Sequence, residues 1–366
     1  MIRIQYRNIF ILYLTGLLLF SCSTKESWEI EAQTTIDQLI LDVQVFEIDA
    51  DAIPAVELEP DFIITSDKTE GFDFGLPVDI ITLNDSIYVL DQAQNCVFAL
   101  DQKGIIHRQV SRAGRGPGEF SMPASMVTNG EFVFISDTGN SRIHKFSHAF
   151  EILKTIDAST GFSNRNLSSS DSLLYTYDGS IIRNESKYII RKYRIGSQLE
   201  EIDVLVPRLL SMGKQPFVLN EPEFYSNSAG YFIMGYAPVP RLFLYGPEGD
   251  LQLSIHLSGS VVDKINEFQE ENKHRHRTGQ SQTLGLAPFI YSVALDNDMN
   301  IYLFTVYRNL IVLSKNNGDY HLAGNYTLEH PDGYGRKGKL SLFGENLALM
   351  FNNYTDILVY NLKNFN

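Results

Sequence analysis

Arg108, Arg112 and Arg115 stand close together in a chain that carries 30 Lys and Arg against 44 Asp and Glu, a net charge of −14. A guanidinium presents a planar fork of donors that suits carboxylate or phosphate. The cluster lies in a connection between two apolar segments, where a rigid scaffold commonly displays binding residues. It is therefore a candidate ligand site, weighed against internal pairing with acids such as Glu119 or Asp137 that would simply pin the loop. A second basic run, Lys273-His274-Arg275-His276-Arg277, follows Val261, Ile265 and Phe268 at helical spacing. The pattern predicts a short amphipathic helix within residues 259–288, either a lid or docking element or a solvated insertion. His274 and His276 are two positions apart, so on a helix they point to nearly opposite sides and cannot share a metal, whereas in an extended loop they could.

Other constellations carry less chemistry. Asp296-Asn297-Asp298 lacks the glycine and distant glutamate of a calcium loop and reads as a turn before a strand at 300–304. Gly114-Arg115-Gly116-Pro117-Gly118 lacks the Lys and Ser/Thr of a phosphate loop and is flanked by strands. No serine elbow, no clustered Cys/His and no metal set emerges, and no cofactor is implied. With 19 Tyr and 23 Phe, most rings should fill space between packed elements, while Tyr225, Tyr236 and Tyr291, near loops, are candidates for stacking on sugar rings. Acidic balance argues against nucleic acid as a partner.

The elements that must position these residues recur. Residues 132–146 form an apolar strand, a polar turn and a second strand, and residues 87–100 repeat this in phase, with Asp91 and Asp137 each directly after the first strand. Looser copies span 173–192, 231–245, 301–313 and 347–362. A strand-turn-strand unit recurring six times at roughly 40 to 70 residues reads as the blades of a ring. The stretch "GRGPGEF…P…VFISDTGNSRIHKF" resembles six-bladed β-propellers of the NHL and TolB-like type, in particular lipoproteins of that group from Bacteroidota. The resemblance is strong over residues 75–156 and architectural as far as 366. It implies an all-β fold of six four-stranded antiparallel blades in the cell envelope, and no particular activity. Lactonase-like enzymes of similar fold hold a divalent ion on the axis, but no Glu, Asp and His set can be assigned to that role here.

The first 22 residues read as a signal peptide: Arg3 and Arg7, an apolar stretch from Ile9 to Phe20, then Leu19-Phe20-Ser21-Cys22, which resembles a lipobox with Cys22 as the acylated residue. Cleavage would remove two arginines and bring the charge to −16. Residues 23–38 are expected to act as a polar tether and 39–366 as one propeller domain, closed by an N-terminal strand from 39–64 that joins the C-terminal copy, because a ring removes open sheet edges. Cys96, the other cysteine, reads as a small buried residue. These readings together favour an outer-membrane-anchored, periplasmic or surface-exposed propeller that binds an envelope protein or ligand, a glycan among them, without catalysis. A metal-dependent hydrolase or lyase with its site on the axis is the alternative.

Overall fold

A computed structural model describes residues 27–65, 72–157, 166–177, 187–196, 199–210, 217–282, 284–328, 338–351 and 355–365. Cys22, with the whole of 1–22, lies outside the described residues. The chain opens with helix α1 (Ser27–Leu39) and three short strands, β1 (Gln44–Asp49), β2 (Val56–Glu57) and β3 (Phe62–Ile64). Six sheets follow. Blade 1 comprises β4 (Pro77–Leu83), β5 (Ser86–Asp91), β6 (Cys96–Leu100) and β7 (Ile106–Val110). Blade 2 comprises β8 (Pro123–Thr128), β9 (Val133–Asp137), β10 (Arg142–Phe146) and β11 (Ile152–Asp157). Blade 3 comprises β12 (Leu167–Ser169), β13 (Leu173–Tyr177), β14 (Tyr188–Ile195) and β15 (Leu199–Pro207). Blade 4 comprises β16 (Pro222–Ser226), β17 (Phe232–Tyr236), β18 (Arg241–Tyr245) and β19 (Leu251–Ser258). After helix α2 (Ser260–Arg277) comes blade 5, built of β20 (Ile290–Leu295), β21 (Ile301–Thr305), β22 (Asn309–Asn316) and β23 (Asp319–Thr327). Blade 6 comprises β24 (Gly338–Phe343), β25 (Asn346–Phe351) and β26 (Ile357–Asn361).

All six repeats read from the sequence fall on the second and third strands of a blade. Those strands are buried on both faces, and β5, β6, β9, β17 and β21 have no exposed position. Burial on both faces demands unbroken apolar runs. The turn chemistry is only partly as expected. Asn95 takes the left-handed conformation in blade 1 (φ 54°), but in blade 2 it is Ser141 (φ 53°), which frees Asn140 to bond elsewhere. By strand register Cys96 corresponds to Arg142, since each faces the aspartate that ends the preceding strand. Cys96 itself is fully buried.

Blade 6 receives its fourth strand from the N-terminus: β3 pairs antiparallel with β26, Ile64 opposite Ile357 and Phe62 opposite Val359. The expected N-terminal closure is therefore present, and it is only the last part of a longer strap. β1 lies parallel on β19 as a fifth strand of blade 4, and β2 lies parallel on β23 as a fifth strand of blade 5. Within the segment read as a polar tether, residues 27–39 are helical. Ala32 and Ile36, one turn apart on α1, are buried among Tyr236, Phe243 and Leu286, with Trp28 and Leu39 packed at the edge. The helix expected near 259–288 is α2, which buries Val261, Val262 and Ile265, while Phe268 stays 45 % exposed. Its last turn carries His274, Arg275, His276 and Arg277.

Candidate functional site

The innermost strands line the axis, and on it five of the six neighbouring blade pairs are tied by side-chain oxygens. Met126 N–H donates to Asp79 Oδ2 at 2.9 Å, Leu167 N–H to Ser125 Oγ at 3.2 Å, Ser226 N–H to Ser168 Oγ at 2.6 Å and Leu340 N–H to Ser292 Oγ at 3.1 Å. Ser341 Oγ then donates to Asp79 Oδ1 at 2.7 Å, joining blade 6 to blade 1. The backbone has been shaped for this. Ladder register shifts at Pro77/Asp79, Pro123/Ser125 and Ile290/Ser292 mark bulges one residue before the oxygen-bearing side chain, and a bulge re-aims a side chain.

Asp79 is the centre of this girdle. It is 3 % exposed and accepts from Ser125 Oγ, Met126 N–H, Ile80 N–H and Ser341 Oγ, and Lys339 Nζ approaches its Oδ2 at 2.7 Å. A buried carboxylate demands such compensation. The ammonium of Lys339 sits where an axial cation would need oxygen ligands, and among the described residues no three His, Cys, Asp or Glu side chains converge on one point. The donor set on this axis does not fit a divalent ion.

Beside the girdle the channel widens. A cavity of about 140 Å³ rests on Asp79, Ser168 and Ser341, and it shares Thr128, Ser169, Tyr225, Ser226, Leu342 and Gly344 with an outer cavity of about 340 Å³. The outer rim consists of the turns that follow the innermost strands, including Asn129, Asp171, Ser228 and Asn297. These turns are laced together: Asn129 Nδ2 donates to Asp171 O at 2.9 Å, Asp171 N–H to Ser228 O at 3.1 Å and Ser228 Oγ to Asn297 Oδ1 at 2.8 Å. The result is a preformed cup of hydroxyls and amides, within the size range of small-ligand sites.

Of the three candidate tyrosines, Tyr225 alone lines this cup. It belongs to the innermost strand β16, and burial together with the Asp79 carboxylate raises its phenol well above the usual range, so the hydroxyl stays protonated. Tyr236 is fully buried and its hydroxyl donates to the Pro207 carbonyl, which removes it from any surface. Tyr291 is half-buried on β20 against Phe304, ring centroids 6.4 Å apart, and serves packing between blades. The three do not form a stacking platform.

The arginine cluster is likewise dispersed. Arg108 is exposed on the outer strand β7. Arg112 Nη2 pairs with Glu119 at 2.9 Å, and Glu119 also accepts from Gly116 N–H at 2.8 Å, which holds its carboxyl below the usual range. Arg115 is exposed and contributes its carbonyl to the loop. What organises the glycine-rich loop is Arg142. It pairs with Asp137 at 2.8 Å and donates to the carbonyls of Arg115, Gly116 and Glu119 at 2.9, 3.0 and 2.8 Å. Asp137 also accepts from Ser121 N–H and Asn140 Nδ2, and His144 Nε2 lies 3.4 Å away. Burial opposes ionisation of Asp137, but these hydrogen bonds prevail and lower its pKa. A Cβ on Gly114 would collide with the Glu119 carboxylate, and on Gly139 with the Ser121 carbonyl. Those glycines are required by close approach, not by a ligand.

Sequence reasoning missed the girdle. The signal was present as Pro77-x-Asp79 and Pro123-x-Ser125, each opening an innermost strand at the same bulge.

Fold and axis together define a closed six-bladed propeller with a polar cup on one face. The chain belongs to the 6-bladed beta-propeller family DUF5128, which it matches over residues 64–309. None of the curated proteins matches it. Among solved structures it is similar to a putative exported protein (BF0058) from Bacteroides fragilis NCTC 9343, at 13 % identity over 88 % of this chain and 81 % of that one, with a TM-score of 0.49. Virginiamycin B lyase from Staphylococcus aureus is similar at 11 % identity, 76 % and 78 % coverage and TM-score 0.44. Kluyveromyces lactis Hsv2 follows at 11 %, 77 % and 79 %, and 0.45. At such identities only the ring of blades is shared.

Proposed function

We propose that this chain is a lipid-anchored binding propeller of the cell envelope that takes a small polar ligand into its axial cup. The observation that carries the reading is a preformed cavity of about 340 Å³ that opens onto an inner cavity of about 140 Å³ with Asp79 in its lining. A lining of Ser, Thr and Asn side chains with Tyr225, rimmed by the carboxylates of Asp171 and Asp296, offers hydrogen bonds in both directions, as a polyhydroxylated or amide-bearing ligand requires. Among the described residues no three metal-binding side chains cluster there, and the Asp79 carboxylate that accepts from Ser125 and Ser341 is already held by Lys339. The lipobox-like Leu19-Phe20-Ser21-Cys22 supports attachment through Cys22. No helix among the described residues is long and apolar enough to cross a membrane.

Two measurements separate this from an axial-metal hydrolase or lyase. Thermal unfolding is expected to be unchanged by a strong chelator and by added divalent cations; a large fall restored by one metal would sink the binding reading, because a native-state ligand must stabilise. Ligand screening by thermal shift with small sugars and amides is then expected to give a hit that Leu342→Trp abolishes, since Leu342 lines both parts of the cup. A hit that survives this variant with its affinity intact would place binding elsewhere.

A further inference from the structure

The two faces of the ring differ in what they carry. The turns between first and second strands open on the cup face, and five of the six blades place an exposed or half-exposed acid there, namely Asp85, Glu131, Asp171, Asp298 and Glu345. Second strands run back across the ring, so the turns that follow them, such as 237–240, lie on the opposite face. Helix α2 belongs to that opposite face: Gln269 Nε2 donates to Pro238 O at 3.4 Å and to Ala287 O at 3.3 Å. Its last turn exposes His274, Arg275, His276 and Arg277, while the exposed acids Asp263, Glu267 and Glu271 lie in the preceding turns and Glu270 is bound to Lys273.

The N-terminus is held at the same place. Lys273 is 7 % exposed and bridges Glu29 of α1 and Glu270 of α2, and its Nζ lies 5.7 Å from the Trp28 ring. The first turn of α1 is thus fixed beside the basic end of α2. Five residue steps separate Ser27 from Cys22, a reach of at most about 18 Å however the chain runs. Anionic headgroups attract basic segments within about a Debye length of the surface, near 8–10 Å.

We propose that the face bearing the α1 N-terminus and the basic end of α2 lies against an anionic phospholipid surface, so that the acidic face with the axial cup points away from the membrane. This rests on acylation at Cys22. α1 is then an orienting clamp that turns a flexible attachment into a defined one.

The test uses the full chain with its lipid, reconstituted in phosphatidylethanolamine vesicles with and without phosphatidylglycerol and containing a bilayer-borne quencher. A fluorophore is placed at His274→Cys on the helix face or at Glu131→Cys on the cup face. Labelling is selective because burial, aided by the Asp91 charge, pushes the Cys96 thiol up to about 12. The His274 site is expected to be quenched several-fold more than the Glu131 site, more so with phosphatidylglycerol, and Arg275→Glu with Arg277→Glu is expected to erase the phosphatidylglycerol effect. Equal quenching at the two sites, or more at Glu131, with Cys22 acylated by mass measurement, overturns the orientation alone. Absence of an acyl group on Cys22 overturns the anchor and the orientation together.

Discussion

Along the outer edge of blade 4, β1 covers β19 with six parallel register pairs from Gln44 to Asp49, and along blade 5 β2 begins to do the same for β23. On blade 2 the outer strand β11 has no such cover, and Ile152 and Leu153 are 36 % and 52 % exposed. The interior differs in parallel. Blades 4 and 5 share a cluster of 20 buried apolar residues, while the joint between blades 2 and 3 rests on five, Phe134, Ile143, Leu167, Leu174 and Tyr193. Blades 1 to 3 make up the difference with buried polar ties. Arg142 grips the loop between blades 1 and 2, Lys145 Nζ donates to Gly196 O of blade 3, and Lys192 Nζ donates to Pro247 O of blade 4. The strapped half rests on backbone and apolar area, whereas blades 2 and 3 add desolvated cations on carbonyls to the small apolar cluster at their joint. Apolar burial tolerates small errors, whereas a buried donor or acceptor left unpaired costs its full desolvation, so the two halves should fail differently.

The harshest way to break the strapped half is to remove its closure. Deleting residues 355–366 removes β26, the partner of both β25 and β3, and exposes Ile64, which is 1 % exposed in the intact ring. Cooperative unfolding is expected to disappear. A deletion variant that still melts sharply at the parent temperature would mean that the girdle on the axis, and not the strap, closes the ring.

In the other half, Arg142→Ala should lose about 3 kcal/mol, because it strands a fully buried Asp137 and three loop carbonyls at once. Arg142→Lys is expected to recover little of this, since an ammonium cannot reproduce the planar fork. Denaturant midpoints of the two variants check both statements. A lysine variant close to the parent would show that charge alone organises the glycine-rich loop.

The contrast explains what could be read from the sequence. Second and third strands are buried in every blade, so their apolar runs stood out, with Asp-bearing turns in blades 1 and 2 alone, and Val261 and Ile265 at helical spacing foretold a short helix that in fact continues through the basic run to Arg277. First strands were illegible because their central residue is Asp79, Ser125, Ser168 or Ser292, polar side chains whose partners are the backbone of the next blade. Fourth strands such as β11 alternate weakly because one side faces solvent. α1 looked like a tether because two buried residues, Ala32 and Ile36, suffice to dock it once α2 supplies the other wall. The candidate site shared this fate: Tyr225 was named for its type, but the cup depends on serines whose meaning appears only when six strands meet.

A smaller effect separates the clamp from the ring. Lys273→Met should cost about 1–2 kcal/mol, leaving Glu29 without its cation and loosening α1. Burial disfavours the Lys273 ammonium, yet its bonds to Glu270 and Glu29 outweigh this and its pKa is raised. A raised lysine stabilises below its unfolded pKa near 10.4 and loses that stabilisation as pH climbs through the folded value. The stability difference between parent and Lys273→Met, followed by chemical denaturation, should therefore shrink only in strong alkali. Hydrogen exchange in α1 should rise in the variant while that of β17 stays unchanged.

Lys145 gives the opposite sign and the smallest effect at neutral pH. It is 3 % exposed, its Nζ lies 3.4 Å from the Phe132 ring centroid, and it has a carbonyl for a partner in place of a carboxylate. Burial lowers its pKa, with Lys154 acting the same way and Glu131 opposing. Between that lowered value and about 10.4 the unfolded chain binds more protons than the folded one, so stability contributed by this residue rises with pH through that window. Lys145→Met removes the charge and keeps most of the stem packed on Phe132, with Gly196 O left to water, and should change stability by less than about 1 kcal/mol at pH 7. Subtracting the variant's stability from the parent's at each pH isolates this residue from the buried tyrosines, whose raised pKa values work the other way above pH 10. A difference that climbs with pH for Lys145 and falls for Lys273 would confirm that the blade 2 and blade 3 joint holds its cation on a carbonyl, whereas the clamp holds its cation on carboxylates. A difference that falls for both would mean that Lys145 has an anionic partner, and that the blade 2 and blade 3 joint resembles the clamp after all.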